Sequence, residues 1–563
     1  MITEWQKSFV GLILSVTGLC ATVVMAPNTL YDPINLPKLA VIVIGAFMAM
    51  GALSTNLKTL WESTYRPYTL WLVTFNLHLV LVILISSANN TKEFYGADGR
   101  STGLLALSSL SLILFTSIFA SSEANIKRVS NFLIVTFILS LVYGLMQHLG
   151  ADPIKWSLMY SPVMGFLGNP NFQSSFLGLA GVLVFARILE KSLGNLYRAL
   201  YLLSFLMTIF VIKASNSQQG ILVLAGGITF VFLVWISKSK FKALTIPGIA
   251  ISGVGFIAVL LGTLSMGPLA SLLYKASVTF RGDYWTAGWN MTTSNPIFGV
   301  GVDNYGDWYR RTRTLEATLR RGPDVTSNAA HNVFLDFSSN GGFPLALIYI
   351  FVIVMVIRAS IKIVRRQKSY NSFAIGLIGA WIAYQAQSVI SLNQLGLAVW
   401  GWLLSGLIIG YEIHTRSEVF AEPLQQEKRV GKTATNVASK KSDSKALIGM
   451  FAGGVVSLFL VIPALNSSAQ VVNATKATDP KVVQNVANIW PHSSAVQFEV
   501  AYILSKAKFE DLAIEILNTG LSESPDYFAM WRLLTEIPTV TEEQKAEARR
   551  QMKRLDPLNP NLK

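Results

Sequence analysis

Charge is scarce in this 563-residue chain: only 14% of its residues are Asp, Glu, Lys or Arg, where a soluble domain carries about 25%. With 52% hydrophobic residues and a mean hydropathy of +0.46, that shortage excludes an ordinary soluble globule. Cysteine is nearly absent. The single Cys20 lies inside an apolar run, so it forms no internal disulfide and reads as packing. Histidine is limited to five residues. The loops predicted to face outward hold no carboxylate pair, no Cys/His cluster and no Asp-x-Asp-type motif, so no metal site and no cofactor is expected. The run from Phe9 to Met25 has no small-residue cleavage site before Pro27-Asn28, and further spans follow it, so it reads as a first span and not a cleaved leader.

Long apolar runs are what the chain has in abundance. They predict an all-α, polytopic membrane bundle with spans near 8–26, 38–54, 69–87, 103–120, 131–149, 174–190, 199–213, 218–236, 246–266, 343–358, 372–391, 395–412 and 446–465. A net charge of +15 raises the question of nucleic acid, and the position of the charges answers it. With the N-terminus inside, basic residues crowd the inner loops: Lys58, Arg66, Lys127, Arg128, Arg187, Lys191, Arg198, the Lys238–Lys242 run and the Arg358–Lys368 run. The short outer loops hold only Lys38, Lys92, Arg100, Lys155 and Lys213. This is the positive-inside asymmetry, so no nucleic-acid partner is needed. Thirteen spans place the 267–342 loop and everything after Leu465 on the outer face.

Four parts follow: a bundle of about twelve spans at 1–412, a basic cytoplasmic linker at 413–445, one more span at 446–465, and an outer helical domain at 466–563. The linker, with Lys428, Arg429, Lys432, Lys440, Lys441 and Lys445, reads as flexible and suited to anionic headgroups of membrane lipids. The tail is predicted as helices at 480–489, 494–507, 509–520, 525–535 and 541–555. Ala501, Ala507, Ala513 and Leu555-Asp556-Pro557 resemble tetratricopeptide-type repeats, and a plain helical bundle is the alternative. Either reading suggests a module for interaction, with a protein partner among the candidates.

Chemistry concentrates in the outer loops. In Gly165-Phe166-Leu167-Gly168-Asn169-Pro170-Asn171, the amides of Asn169 and Asn171 either address a sugar or phosphate, or the segment is simply a turn entering a helix with Asn171 as its cap. The 267–342 loop is far longer than its neighbours and opens its chemistry at Arg281. Arg281 to Ser294 is predicted as a helix, ended by Asn295-Pro296 and followed by a glycine-rich turn at 298–305. Trp308 to Arg321 is predicted as a helix with Arg310, Arg313 and Arg320 on one face, and Arg311 and Arg321 beside it. Guanidinium forks on one face suit a pyrophosphate, or equally lipid headgroups reached by snorkelling. His331, next to Asn332 and just before the next span, is positioned to serve as a general base or as a structural histidine.

Three elements together resemble the O-antigen ligase and polymerase superfamily of bacterial membrane glycosyltransferases, protein O-oligosaccharyltransferases included. They are the 165–171 turn, the run from Arg281 through Trp285 to Asn295-Pro296-Ile297-Phe298-Gly299-Val300-Gly301, and the box Ala330-His331-Asn332-Val333-Phe334-Leu335. The resemblance covers roughly residues 1–412. It implies about twelve helices in the bacterial cytoplasmic membrane and a large extracytoplasmic loop. It also implies metal-independent, inverting transfer of a glycan from a polyprenyl-pyrophosphate carrier to a glycan, lipid or protein acceptor. On that reading His331 activates the acceptor, Arg281 and part of the Arg310–Arg321 cluster hold the pyrophosphate, and Asn332 belongs to the same box. One departure stands out: where relatives often carry arginine, this chain reads Ser215-Asn216-Ser217-Gln218-Gln219-Gly220, so Gln218 offers hydrogen bonds without charge. A lipid-linked-sugar transporter and a non-catalytic scaffold for the tail are the competing classes. The first predicts charges deep within spans, and the second leaves the Arg281 and His331 boxes without a task.

Overall fold

The computed structural model describes residues 2–86, 89–156, 163–273, 276–420, 432–474, 477 and 479–562. It is all-helical, with 77% of residues in helices and no strand among the described residues. In chain order the first helices are α1 (Glu4–Val23), α2 (Asn35–Leu53), the short α3 (Leu57–Leu60), α4 (Arg66–Ile85), the short α5 (Asn90–Tyr95) and α6 (Leu104–Ala120). Then come α7 (Glu123–His148), α8 (Pro170–Ile188), α9 (Asn195–Ala214), α10 (Gln219–Ser237) and α11 (Thr245–Thr263). Four loop helices follow: α12 (Ala270–Leu273), α13 (Ala276–Ser294), α14 (Tyr305–Thr312) and α15 (Leu315–Arg321). The bundle closes with α16 (Val333–Arg366), α17 (Ser372–Ile390) and α18 (Leu395–Phe420), and α19 (Lys432–Ala474) leads to the tail.

Among the described residues, twelve helices are long and apolar enough to cross a membrane, and α6, with 17 residues, is a shorter apolar one. The protein is therefore a multi-pass membrane protein. Each of the thirteen expected spans falls on one of these helices. Local signals set their ends. Thr3 and Gln6 form a capping box at α1. Asn169 caps α8 with Pro170 in the first turn, where its missing N–H costs nothing. Lys38, expected in a short outer loop, is instead buried in the first turns of α2. Its Nζ donates to the carbonyls of Thr22 (2.9 Å) and Val24 (2.7 Å), which the end of α1 leaves without helical partners.

Burial sorts the bundle into a centre and a rim. The apolar stretch of α18 is 100% buried, whereas that of α11 is 0% buried, on the outside of the bundle. Around α18 two tryptophans satisfy their indole N–H groups internally, as a membrane interior favours. Trp400 donates to Thr22 Oγ1 (2.8 Å), and Trp71 of α4 donates to the Ile348 carbonyl (2.9 Å). Close helix approach uses glycine: a Cβ on Gly406 of α18 would lie 2.0 Å from the Leu114 carbonyl of α6.

The tail comprises α20 (Pro480–Val486), α21 (Ser494–Lys506), α22 (Glu510–Glu523), α23 (Phe528–Glu536) and α24 (Glu542–Leu555), close to the five helices predicted. These enclose a second apolar core that also takes in Val471 and Ala474 at the end of α19. Of the expected linker, 413–420 continue α18 and 432–445 open α19, so its described parts are helical. Residues 421–431, with Lys428 and Arg429, lie outside the described residues. The tail rests on the same face of the bundle as the large loop, through Asn89 to Ser524 Oγ (2.9 Å) and Ser493 Oγ to Asp98 (2.7 Å).

Gly406→Leu drives a side chain into α6 backbone, and overpacking of this kind costs about 1–3 kcal/mol. A Cβ on Gly226 of α10 would meet nothing within 4 Å, so Gly226→Leu is the control. The expected result is a lower detergent melting temperature for Gly406→Leu alone.

Candidate active site

The large loop is framed by a turn wedged into a break in α16. Asn295-Pro296 stops α13, and the chain then packs against the point where α16 loses helical geometry. Gly342 has φ +73°, and a Cβ there would sit 2.4 Å from the Ile297 carbonyl, so glycine is required. Phe343 N donates to the Pro296 carbonyl (2.8 Å) and Val300 N to the Ser339 carbonyl (2.8 Å). From α5 the buried Glu93 carboxylate accepts from Val302 N (2.8 Å) and Ser86 Oγ (2.6 Å), and burial pushes its carboxyl up to about 7. The glycine-rich run is thus a rigid wedge that sets α13 against α16.

His331 sits where that frame meets the membrane-crossing part. Its φ is +53°, a left-handed conformation that costs a non-glycine residue roughly 1–3 kcal/mol. Both neighbours hold it there. Ala330 N donates to Asp336 Oδ1 (2.7 Å), and Asn332 caps α16 by accepting from Phe334 N (3.0 Å) and Leu335 N (3.1 Å). The imidazole stacks on Tyr284 of α13, with centroids 5.2 Å apart and a 27° tilt. Tyr284 is itself seated by Tyr305 of α14, whose hydroxyl donates to the Tyr284 carbonyl (2.6 Å).

Three guanidinium groups act on this ring electrostatically. Arg281 lies one turn before Tyr284 on α13 and forms no ion pair among the described residues; burial lowers its pKa. Arg321, the last residue of α15, donates to Tyr284 Oη and lies over the rings of Phe280 (4.4 Å) and Tyr284 (5.2 Å), again with no carboxylate partner among the described residues. Arg100 is different: it is paired with Asp303 (3.1 Å) and donates to the Asn328 carbonyl. Burial, then Arg281, Arg100 and Arg321 in that order, hold the His331 imidazole down to about 4. A neutral imidazole therefore stands beside two cations that have no carboxylate partner among the described residues.

The other arginines singled out by sequence are paired with carboxylates. The helix predicted from Trp308 to Arg321 is broken: Arg313 is extended and Thr314 caps a new helix by accepting from Ala317 N (3.1 Å). Arg310 and Arg313 therefore turn to Asp556 of the tail, at 3.1 and 2.8 Å. Arg311 pairs with Asp526 (2.5 Å) and stacks on Trp308 (4.3 Å), and Arg320 pairs with Asp283 (2.7 Å) and Glu316. A charged helical face was expected, and the Thr314 cap divides it.

The 165–171 turn belongs to a second polar seam at the same end of the bundle. Asn169 Oδ1 accepts from Asn171 N (2.9 Å) as the α8 cap, and Asn171 Oδ1 accepts from Ser217 Oγ (2.8 Å). Gln218 opens α10, and the neighbouring Gln219 amide is buried with neither its Nε2 nor its Oε1 hydrogen-bonded among the described residues. Packing and two hydrogen bonds lie between this seam and Arg100. Leu167 lies close to Gly396, Gln394 Nε2 donates to Asn35 (3.1 Å), and Asn35 Nδ2 donates to the Gly99 carbonyl (2.7 Å), next to Arg100. Arg100 and Tyr284 had carried no assignment from sequence. Tyr284 was visible at i+3 from Arg281, whereas nothing local distinguishes Arg100.

Residues 202–350 match the family model for O-antigen ligase. The matched segment runs from α9 into α16 and contains the whole loop, including Arg281, Tyr284, Arg321 and His331. It bears out the superfamily resemblance carried by the motifs and supports a membrane glycosyltransferase of the O-antigen ligase and polymerase type. A comparison with curated proteins finds no match.

His331 is neutral above about pH 4 in this setting, whereas an ordinary imidazole gains its proton below about pH 6.5. Carbethoxylation, which needs the unprotonated ring, is therefore expected to remain fast at His331 down to pH 5, as read by peptide mass spectrometry. Arg281→Gln removes one repelling cation, so the pH at which His331 stops reacting moves upward.

Proposed function

We propose that the protein transfers a glycan from a polyprenyl-pyrophosphate carrier to an acceptor hydroxyl on the extracytoplasmic face of the bacterial cytoplasmic membrane. The observation that carries this reading is the neutral His331 set beside Arg281 and Arg321, two guanidinium groups with no carboxylate partner among the described residues. The basic inner loops support the orientation.

In this scheme the imidazole of His331 takes the proton from the acceptor O–H as the oxygen attacks the anomeric carbon. The bond from that carbon to the pyrophosphate oxygen breaks, and the electron pair leaves with the carrier's pyrophosphate. Negative charge grows on that leaving group, and Arg281 and Arg321 are fixed where it needs cations. The same anion offsets the charges of Arg281 and Arg321, two of the three that depress the His331 pKa, so donor binding strengthens the base. Arg310, Arg311, Arg313 and Arg320 already hold carboxylates, so the anion-binding role falls to the two unpaired groups. Asn332 serves as a helix cap that aims His331. The seam of Asn169, Asn171 and Gln218, with the unpartnered Gln219 amide, is suited to neutral sugar or phosphate oxygens.

Reconstitution into vesicles with a polyprenyl-pyrophosphate glycan and glycan, lipid or protein acceptors tests the scheme. Loss of a general base costs about 10²–10⁴-fold, and that is the drop expected for His331→Ala. Arg281→Gln and Arg321→Gln are each expected to cost about 10²–10³-fold, the scale for one electrostatic donor. Transfer at the parent rate by His331→Ala would rule out the base assignment. The products distinguish ligation from polymer extension.

A further inference from the structure

The strongest feature outside the catalytic group is a buried cluster of charges where the tail meets the loop. The Asp556 side chain, just past α24, is 0% exposed, and that of Arg313 is 1% exposed. Arg313 Nη2 lies 2.8 Å from both Asp556 carboxylate oxygens. Arg310 Nη1 reaches the same carboxylate at 3.1 Å, and Asn559 Nδ2 donates to it at 3.0 Å. The two guanidinium groups also donate to the loop backbone: Arg310 to the Pro323 carbonyl (2.7 Å), and Arg313 to those of Pro323 (2.9 Å) and Val325 (3.1 Å).

These contacts bracket α15. Arg313 lies two residues before its start, and Pro323 lies two residues after its end. A helix of seven residues has too few internal bonds to hold its own position. Its last residue is Arg321, the cation over Tyr284 and beside His331. We infer that Asp556 is a positioning residue for the transfer reaction: by holding Arg313 and Arg310, the end of the tail fixes both ends of α15 and so places Arg321 at the donor's pyrophosphate. This rests on the proposed reaction and adds a structural requirement to it. Without the carboxylate, two buried guanidinium groups are left to repel each other at the base of α15. A purely adhesive tail would lose folded protein without changing the kinetic constants of what remains.

The test uses the full chain in vesicles with a polyprenyl-pyrophosphate glycan as donor. Asp556→Asn keeps the shape and removes the charge; the expected result is a donor KM raised about tenfold or more with acceptor KM unchanged, since small misplacements at a site have effects of this size or greater. Asp556→Glu is expected to restore part of the loss. In an Arg321→Gln background, Asp556→Asn should add nothing, because both changes remove the same interaction. A parent-like donor KM in Asp556→Asn, or a loss that multiplies with that of Arg321→Gln, overturns the inference. Should Asp556→Asn not fold, Arg310→Gln at the rim of the cluster decides in the same way: a raised donor KM supports the inference and an unchanged one overturns it. If the parent protein transfers no glycan, the reaction assignment fails separately. Trypsin cleavage after Arg320 and Arg321 then reads the clamp directly, with faster cutting in the variant expected and equal cutting overturning it.

Discussion

A guanidinium group withdrawn from water needs an anion, and this requirement organises the loop face of the protein. Arg100 finds Asp303, and Arg310 and Arg313 share Asp556. Once those pairs are made, Arg281 and Arg321 are the cations beside His331 without a carboxylate among the described residues. Paired arginines build the scaffold, and on the proposed function Arg281 and Arg321 are the ones left to meet an anionic substrate group. The residue type is the same in both roles, and only the partner differs.

The scaffold itself relies on backbone geometry more than on side-chain variety. Gly342 lets α16 break so that the 296–301 turn can wedge against it, and Glu93 holds the far side of that turn. His331 occupies a strained conformation that Asp336 and Asn332 enforce from either side. Strain of this kind persists only when the surroundings over-determine it. Here it aims an imidazole at the Tyr284 ring between the arginines. The order of causes runs from the proline-glycine pattern, through the kink, to the placement of one imidazole.

Much of this is legible in the sequence. Thirteen apolar runs correspond to thirteen apolar helices because a hydrocarbon environment leaves an unbroken apolar segment few options besides a helix. The turn signals at Asn169-Pro170 and Asn295-Pro296 mark helix ends, since proline's constraints are local, although the cap of α8 is Asn169 and not the expected Asn171. The single arginine face expected at 308–321 does not form, because helical periodicity does not reveal a break at Arg313 imposed by the Thr314 cap. Lys38 departs from expectation for a similar reason: a carbonyl-lined niche at the end of α1 is invisible in a charge count. Arg100 and Asp556 sit in segments whose local pattern gives no hint of the partners that folding brings to them.

Composition and pattern alone determined that the chain is a helical membrane protein and that its longest loop between spans carries Arg281 and His331. These are properties of local sequence: hydrophobic length, turn chemistry and residue type. Which arginines remain unpaired was decided only by tertiary structure, because pairing depends on what the fold brings within about 4 Å of each guanidinium. The tail's part was decided there too. Asp556 is remote in sequence from Arg313, and only folding buries the two charges against each other.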